Sequence, residues 1–127
     1  MDADERRFKE ISGQIIGAAM AVSNELGVGF LEKVYERALL AELAFRNVGA
    51  RGQVPLDVHY KGILVGQYVA DLVVEGSVLV EIKHASGLDN AHLAQCLNYL
   101  KATGHKLCIL INFGKSTIEY KRVVREF

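Results

Sequence analysis

This chain of 127 residues has only two cysteines, one proline, no excess of either charge and no long apolar run. Each shortage removes a class of protein. Cys96 and Cys108 have neither the number nor the spacing of a disulfide framework or a zinc site, and both fall in apolar-periodic segments, so they are expected to be buried thiols. A single proline, no low-complexity stretch and a half-hydrophobic composition argue against disorder and for a compact soluble globule. No window approaches the ~18 uninterrupted apolar residues of a membrane span, and the opening residues Met1 to Arg7 are charged where a signal peptide would be apolar. A cytoplasmic address is the expectation. Fifteen basic and fifteen acidic residues cancel, which argues against a duplex gripped by net charge alone. The charge can still be segregated, because Lys101, His105, Lys106, Lys115, Lys121, Arg122 and Arg125 all follow residue 100, where the acids are Glu119 and Glu126. A local basic face and ordinary solvated charges both fit that distribution.

The length suits one domain over residues 1–127. Ile11, Ile15, Ala18, Val22 and Leu26 recur at helical steps and predict a helix from about Glu5 to Glu25, ended by Gly27-Val28-Gly29. A second helix is expected from about Phe30 to Phe45. Three strands then follow, Gln53 to Tyr60, Ile63 to Val74 and Val78 to Lys83, joined by the turn signals Lys61-Gly62 and Glu75-Gly76-Ser77 as an antiparallel meander. Pro55 suits the start or edge of its strand. Leu88 to Thr103 reads as a third helix with Leu93, Cys96, Leu97 and Leu100 on one stripe and Gly104 as its stop. Lys106 to Asn112 is apolar enough for a central strand, and Thr117 to Val124 is polar enough for an edge. The expected class is mixed α/β in the order ααβββαββ.

Glu81-Ile82-Lys83, ten residues after Asp71, carries the chemical signal. Side chains alternate along a strand, so Glu81 and Lys83 share one face, roughly 7 Å apart, and Ile82 takes the other. A carboxylate on one strand, with a carboxylate and an ammonium on its neighbour, supplies hard oxygen ligands for Mg²⁺ and a cation beside a phosphate or attacking water. By itself the spacing is weak, since a strand that alternates apolar with charged residues ordinarily has one solvated face.

Two further groups bear on that site. Glu32, Tyr35, Leu39 and Leu43 share a helical face, which puts a carboxylate at the head of an apolar stripe. Glu32 either serves the dipole of the first helical turn or points inward to a metal site. Gln95 and Tyr99, four apart on the third helix, form a polar stripe able to hold phosphate oxygens, a water or the lysine, or else an ordinary amphipathic boundary. His92, beside them, is expected to be a surface residue with no metal role.

Gly29-Phe30-Leu31-Glu32-Lys33-Val34-Tyr35 resembles the GxxExxY signature of a family of small bacterial proteins, itself assigned to the PD-(D/E)xK nuclease superfamily. Gln53-Val54-Pro55-Leu56, Ala70-Asp71-Leu72, Glu81-Ile82-Lys83, Gln95 through Gly104 and Leu110-Ile111-Asn112-Phe113-Gly114 look like its other blocks in order. The resemblance implies a restriction-endonuclease-like core, a mixed sheet flanked by helices. It also implies a site in which Asp71 is the motif aspartate, Glu81 and Lys83 the ExK pair, Glu32 the helix acid and Gln95 with Tyr99 a QxxxY motif. Asp71 follows Val69-Ala70 where the motif has proline, a departure that leaves the ligand in place.

On that basis Asp71, Glu81, Glu32 and the Ile82 carbonyl would hold one or two Mg²⁺ or Mn²⁺ ions, with Lys83, Gln95 and Tyr99 as the other catalytic residues, in a nuclease acting on nucleic acid, DNA first. A second reading is a catalytically silent nuclease-fold module that binds nucleic acid or a partner protein. A homodimer is also entertained, because the apolar stripe of the first helix is longer than a minimal core requires.

Overall fold

The computed structural model describes residues 2–125. Helix α1 (Ala3–Leu26) begins where the Asp2 carboxylate accepts the Glu5 backbone N–H at 2.8 Å, and ends at Gly27, whose φ of 70° turns the chain out of the helix. Helix α2 (Glu32–Phe45) starts two residues later than expected, after Leu31. The corner between the helices is fixed by Tyr35. Its hydroxyl donates to the Gly27 carbonyl at 2.6 Å and accepts the Phe30 N–H at 3.2 Å, and its buried ring stacks on Phe113 with centroids 4.8 Å apart. One side chain thus satisfies backbone groups that a helix end and a loop leave open.

Strands β1 (Ala50–Tyr60) and β2 (Ile63–Val74) form a long antiparallel hairpin whose tip, Lys61-Gly62, takes positive φ at both residues as a tight hairpin turn requires. β1 starts three residues before Gln53, since Ala50 already pairs with Val74. β3 (Val78–Lys83) continues the meander, α3 (Asn90–Thr103) crosses over, and β4 (Leu107–Asn112) returns parallel to β3. β5 (Glu119–Val124) closes the sheet antiparallel to β4, giving the spatial order β1-β2-β3-β4-β5. β4 is buried at every position and lies inside the sheet, while β1 and β5 are its edges. Pro55 sits in mid-strand opposite Val69, where the edge position and not the strand start accommodates its missing N–H.

Two cores flank the sheet. Ile11, Ile15, Ala18 and Val22 of α1 and Tyr35, Leu39 and Leu43 of α2 pack with Leu72, Val80, Ile82 and Ile109. The stripe Ile11, Ile15, Ala18 and Val22 of α1 is thus buried within this chain. On the other face Cys96 and Leu100 of α3 pack with Val73, Leu79, Cys108 and Leu110, and Leu93 is partly buried against them. Leu97 is 46% exposed, so the α3 stripe is narrower than the spacing suggested. Cys96 and Cys108 are buried free thiols, and the hydrogen bond with Cys96 together with burial pushes the Cys108 thiol well up, which keeps it protonated.

Candidate functional site

β2 and β3 pair only from Leu72↔Val80 to Val74↔Val78, and beyond Leu72 the two strands part. Asp71 and Glu81 are the first residues past that fork. There the Asp71 Oδ2 accepts the Ile82 backbone N–H at 2.8 Å, replacing the ladder bond that a continuing β2 would have supplied. β3 itself remains paired with β4 through Glu81↔Leu110 and Lys83↔Asn112, so Glu81 and Lys83 lie on a strand inside the sheet.

Glu81 is 6% exposed, and its Oε1 is buried with no hydrogen-bond partner. Burial raises its pKa from 4.5 to about 7, against the Asp71 backbone N–H and Lys83, which lower it, while Glu36 and Glu32 raise it further. Asp71 is raised as well, chiefly by burial, with the Ile82 N–H and Lys83 opposing and Glu36 and Glu32 adding to the rise. Lys83 acts on both acids, which agrees with the shared face expected of Glu81 and Lys83. An unpartnered buried carboxylate beside a second one, each disfavoured as an anion, is a site that gains from a dication.

Glu32, the first residue of α2, is exposed, and its Oε2 accepts the His84 N–H at 3.2 Å just past the end of β3. It reaches the strand ends but is not buried among them. Glu36, one turn further on, is the buried acid of this helix at 6% exposure. Its Oε1 accepts from Gln53 Nε2 at 2.8 Å, its Oε2 lies 3.6 Å from Lys33 Nζ, and it stands ahead of Glu32 among the charges that raise Asp71 and Glu81. Sequence reading passed over both Glu36 and Gln53. The signal was present, since Glu36 lies four residues after Glu32 and therefore on the same helical side.

On α3 the pair expected at the site is divided. Tyr99 is half-buried, its ring stacks on Tyr68 with centroids 3.5 Å apart, and burial first, then the charges of Glu81 and Asp71, push its hydroxyl up. Gln95 is exposed. His92 closes a capping box with Asp89, accepting the Asp89 N–H while the Asp89 carboxylate accepts the His92 N–H, so its task is to begin the helix.

The donor set suits a hard cation: carboxylate oxygens, one of them unpartnered, with a lysine alongside. Among the described residues no three His, Cys, Asp or Glu side chains stand close enough together to hold a metal ion. Mg²⁺ does not need three, because it keeps several waters and is commonly held by one or two carboxylates.

The chain belongs to the PD-(D/E)XK nuclease superfamily, whose sequence model matches residues 9–123. Among solved structures it is similar to SSO0001, with 19% identity and a TM-score of 0.53 over 76% of this chain and 51% of that one, so it spans about half of that protein's length. It is also similar to an alkaline exonuclease, LHK-Exo, from Laribacter hongkongensis, with 12% identity and a TM-score of 0.51 over 85% of this chain and 76% of that one. The same exonuclease in complex with dAMP gives the same identity and TM-score over 91% and 83%. These likenesses concern the fold. No curated protein matches. Among the described residues no helix is long and apolar enough to cross a membrane.

Proposed function

We propose that this chain is a divalent-metal-dependent nuclease that hydrolyses phosphodiester bonds in DNA. The observation that carries the reading is the pair at the strand fork, Asp71 clamped by the Ile82 N–H and Glu81 with a buried, unpartnered oxygen, with Lys83 acting on both. Membership of a nuclease superfamily supports it, and so does the likeness in fold to an exonuclease seen with dAMP.

Asp71 and Glu81 would hold Mg²⁺ or Mn²⁺, with the Ile82 carbonyl and a helix acid of α2 completing the set. Bound there, the ion supplies Lewis-acid polarisation of the phosphate and a lowered pKa for water. Lys83 orients the attacking water and stabilises charge that builds on the phosphate oxygens. Tyr99, anchored by its stack on Tyr68, borders the acids and can position the substrate backbone. Gln95 is assigned a peripheral substrate contact, in keeping with its exposure.

The test is cleavage of end-labelled single- and double-stranded DNA with Mg²⁺ or Mn²⁺ by the wild type and by Asp71→Asn. Metal-dependent products that vanish in the variant support the proposal. DNA binding that survives the substitution without metal, and no cleavage by the wild type, would replace it with a silent binding module.

A further inference from the structure

Gln53 adopts a φ of 50°, in the left-handed region that a side chain other than glycine, Asn or Asp seldom takes, and it does so inside a strand. The register runs from Gly52↔Leu72 to Val54↔Ala70, which leaves Gln53 directly opposite Asp71. The hairpin changes its inward face at this level. Ala50 and Leu72 belong to the core under α1 and α2, and a Cβ on Gly52 would come within 2.7 Å of Leu40 on α2. Val54 and Ala70, each an even number of residues away, belong instead to the core under α3. A regular strand does not send residues two apart to opposite faces, and in β1 the left-handed residue Gln53 stands at the changeover between Gly52 and Val54. The same step turns the Gln53 amide onto Glu36 Oε1 at 2.8 Å, and a Cβ on Gly52 would lie 3.7 Å from that oxygen, so the carboxylate is held close against the strand.

We infer that Gln53 is a positioning residue that fixes Glu36 as the inner carboxylate of α2 at the metal site, a place that Glu32, exposed and tied to the His84 N–H, does not take. The inference rests on the metal-site reading proposed above. Lys33 approaches Glu36 Oε2 at 3.6 Å, while the Gln53 amide orients Oε1 without adding charge.

The test is calorimetric titration of Mn²⁺ into the wild type, Gln53→Gly and Glu36→Gln, with the thermal melting of each metal-free protein. Glycine is at ease at positive φ, so Gln53→Gly should melt at or above the wild type while binding Mn²⁺ at least tenfold more weakly. Glu36→Gln should lose affinity by at least as much. Gln53→Asn, which also tolerates this φ but carries a shorter amide, provides a second folded variant and should show the same loss. A purely structural role would shift melting and leave Mn²⁺ affinity untouched. Unchanged affinity in both Gln53→Gly and Gln53→Asn, or in Glu36→Gln, with a wild type that binds Mn²⁺, overturns the inference alone. A wild type that binds no Mn²⁺ overturns the metal site and the inference with it.

Discussion

The Asp71 carboxylate accepts the Ile82 backbone N–H at 2.8 Å, at the point where β2 and β3 separate. A side chain that occupies a ladder position fixes its own carboxylate on the sheet and at the same time holds the fork open.

Lys83→Met should abolish or sharply reduce cleavage, by about 10²-fold or more, if the lysine stabilises charge only as the phosphate reacts. Metal affinity should remain near that of the wild type or rise, because a cation that acts on Asp71 and Glu81 is removed. Turnover and Mn²⁺ titration on the same preparation check both parts.

The raised pKa of Glu81 fixes the sign of a pH effect on the metal-free protein. Its folded value of about 7 lies above the ordinary 4.5, so the folded state binds the proton more tightly, and stability falls as pH rises through that window. The difference amounts to about 3 kcal/mol for this group alone, and Asp71, raised for similar reasons, adds in the same direction. In the presence of a chelator, melting at pH 5 and pH 8 should show a steeper loss for the wild type than for Glu81→Gln. Equal slopes would mean that Glu81 is not held in a site that disfavours its charge.

Tyr35→Phe removes a hydroxyl that serves two backbone groups while leaving the ring on Phe113. A loss of about 1–3 kcal/mol in chemical denaturation is expected, since the Gly27 carbonyl and the Phe30 N–H both lose a partner.

Gly114→Ala should be worse. A Cβ there would overlap the Ala85 carbonyl oxygen and lie 2.7 Å from the Ala85 nitrogen, both backbone atoms that cannot swing aside. Asn112, fully buried, locks the same place by accepting the Ala85 and Gly114 N–H groups at 2.9 Å each and donating to the Ala85 carbonyl at 3.0 Å. About 2 kcal/mol or more should be lost, and the segment after Lys83 should shift. Denaturant midpoints and turnover of the variant measure the two effects.

The element order, the meander, the central β4 and the edge β5 were legible because period and turn chemistry act locally. Gly62 and Gly104 announce their turns wherever the chain goes. The shared face of Glu81 and Lys83 follows from alternation along β3, whereas Asp71 stood out only by its place ten residues before Glu81. Gln53 was not legible, because its tie to Glu36 depends on a left-handed step inside a strand, and no periodicity rule anticipates a glutamine there. The exposure of Gln95 and Leu97 likewise depends on how α3 tilts over the sheet, which spacing does not fix.

The central claim is that Asp71 and Glu81 form a metal-binding pair at the fork. Its most direct test is calorimetric titration of Mg²⁺ and Mn²⁺ into the wild type and the Asp71→Ala/Glu81→Ala variant, with circular dichroism to establish that both are folded. The account predicts saturable binding by the wild type and none by the variant. Equal binding by two folded proteins, or none by either at millimolar Mn²⁺, would contradict it.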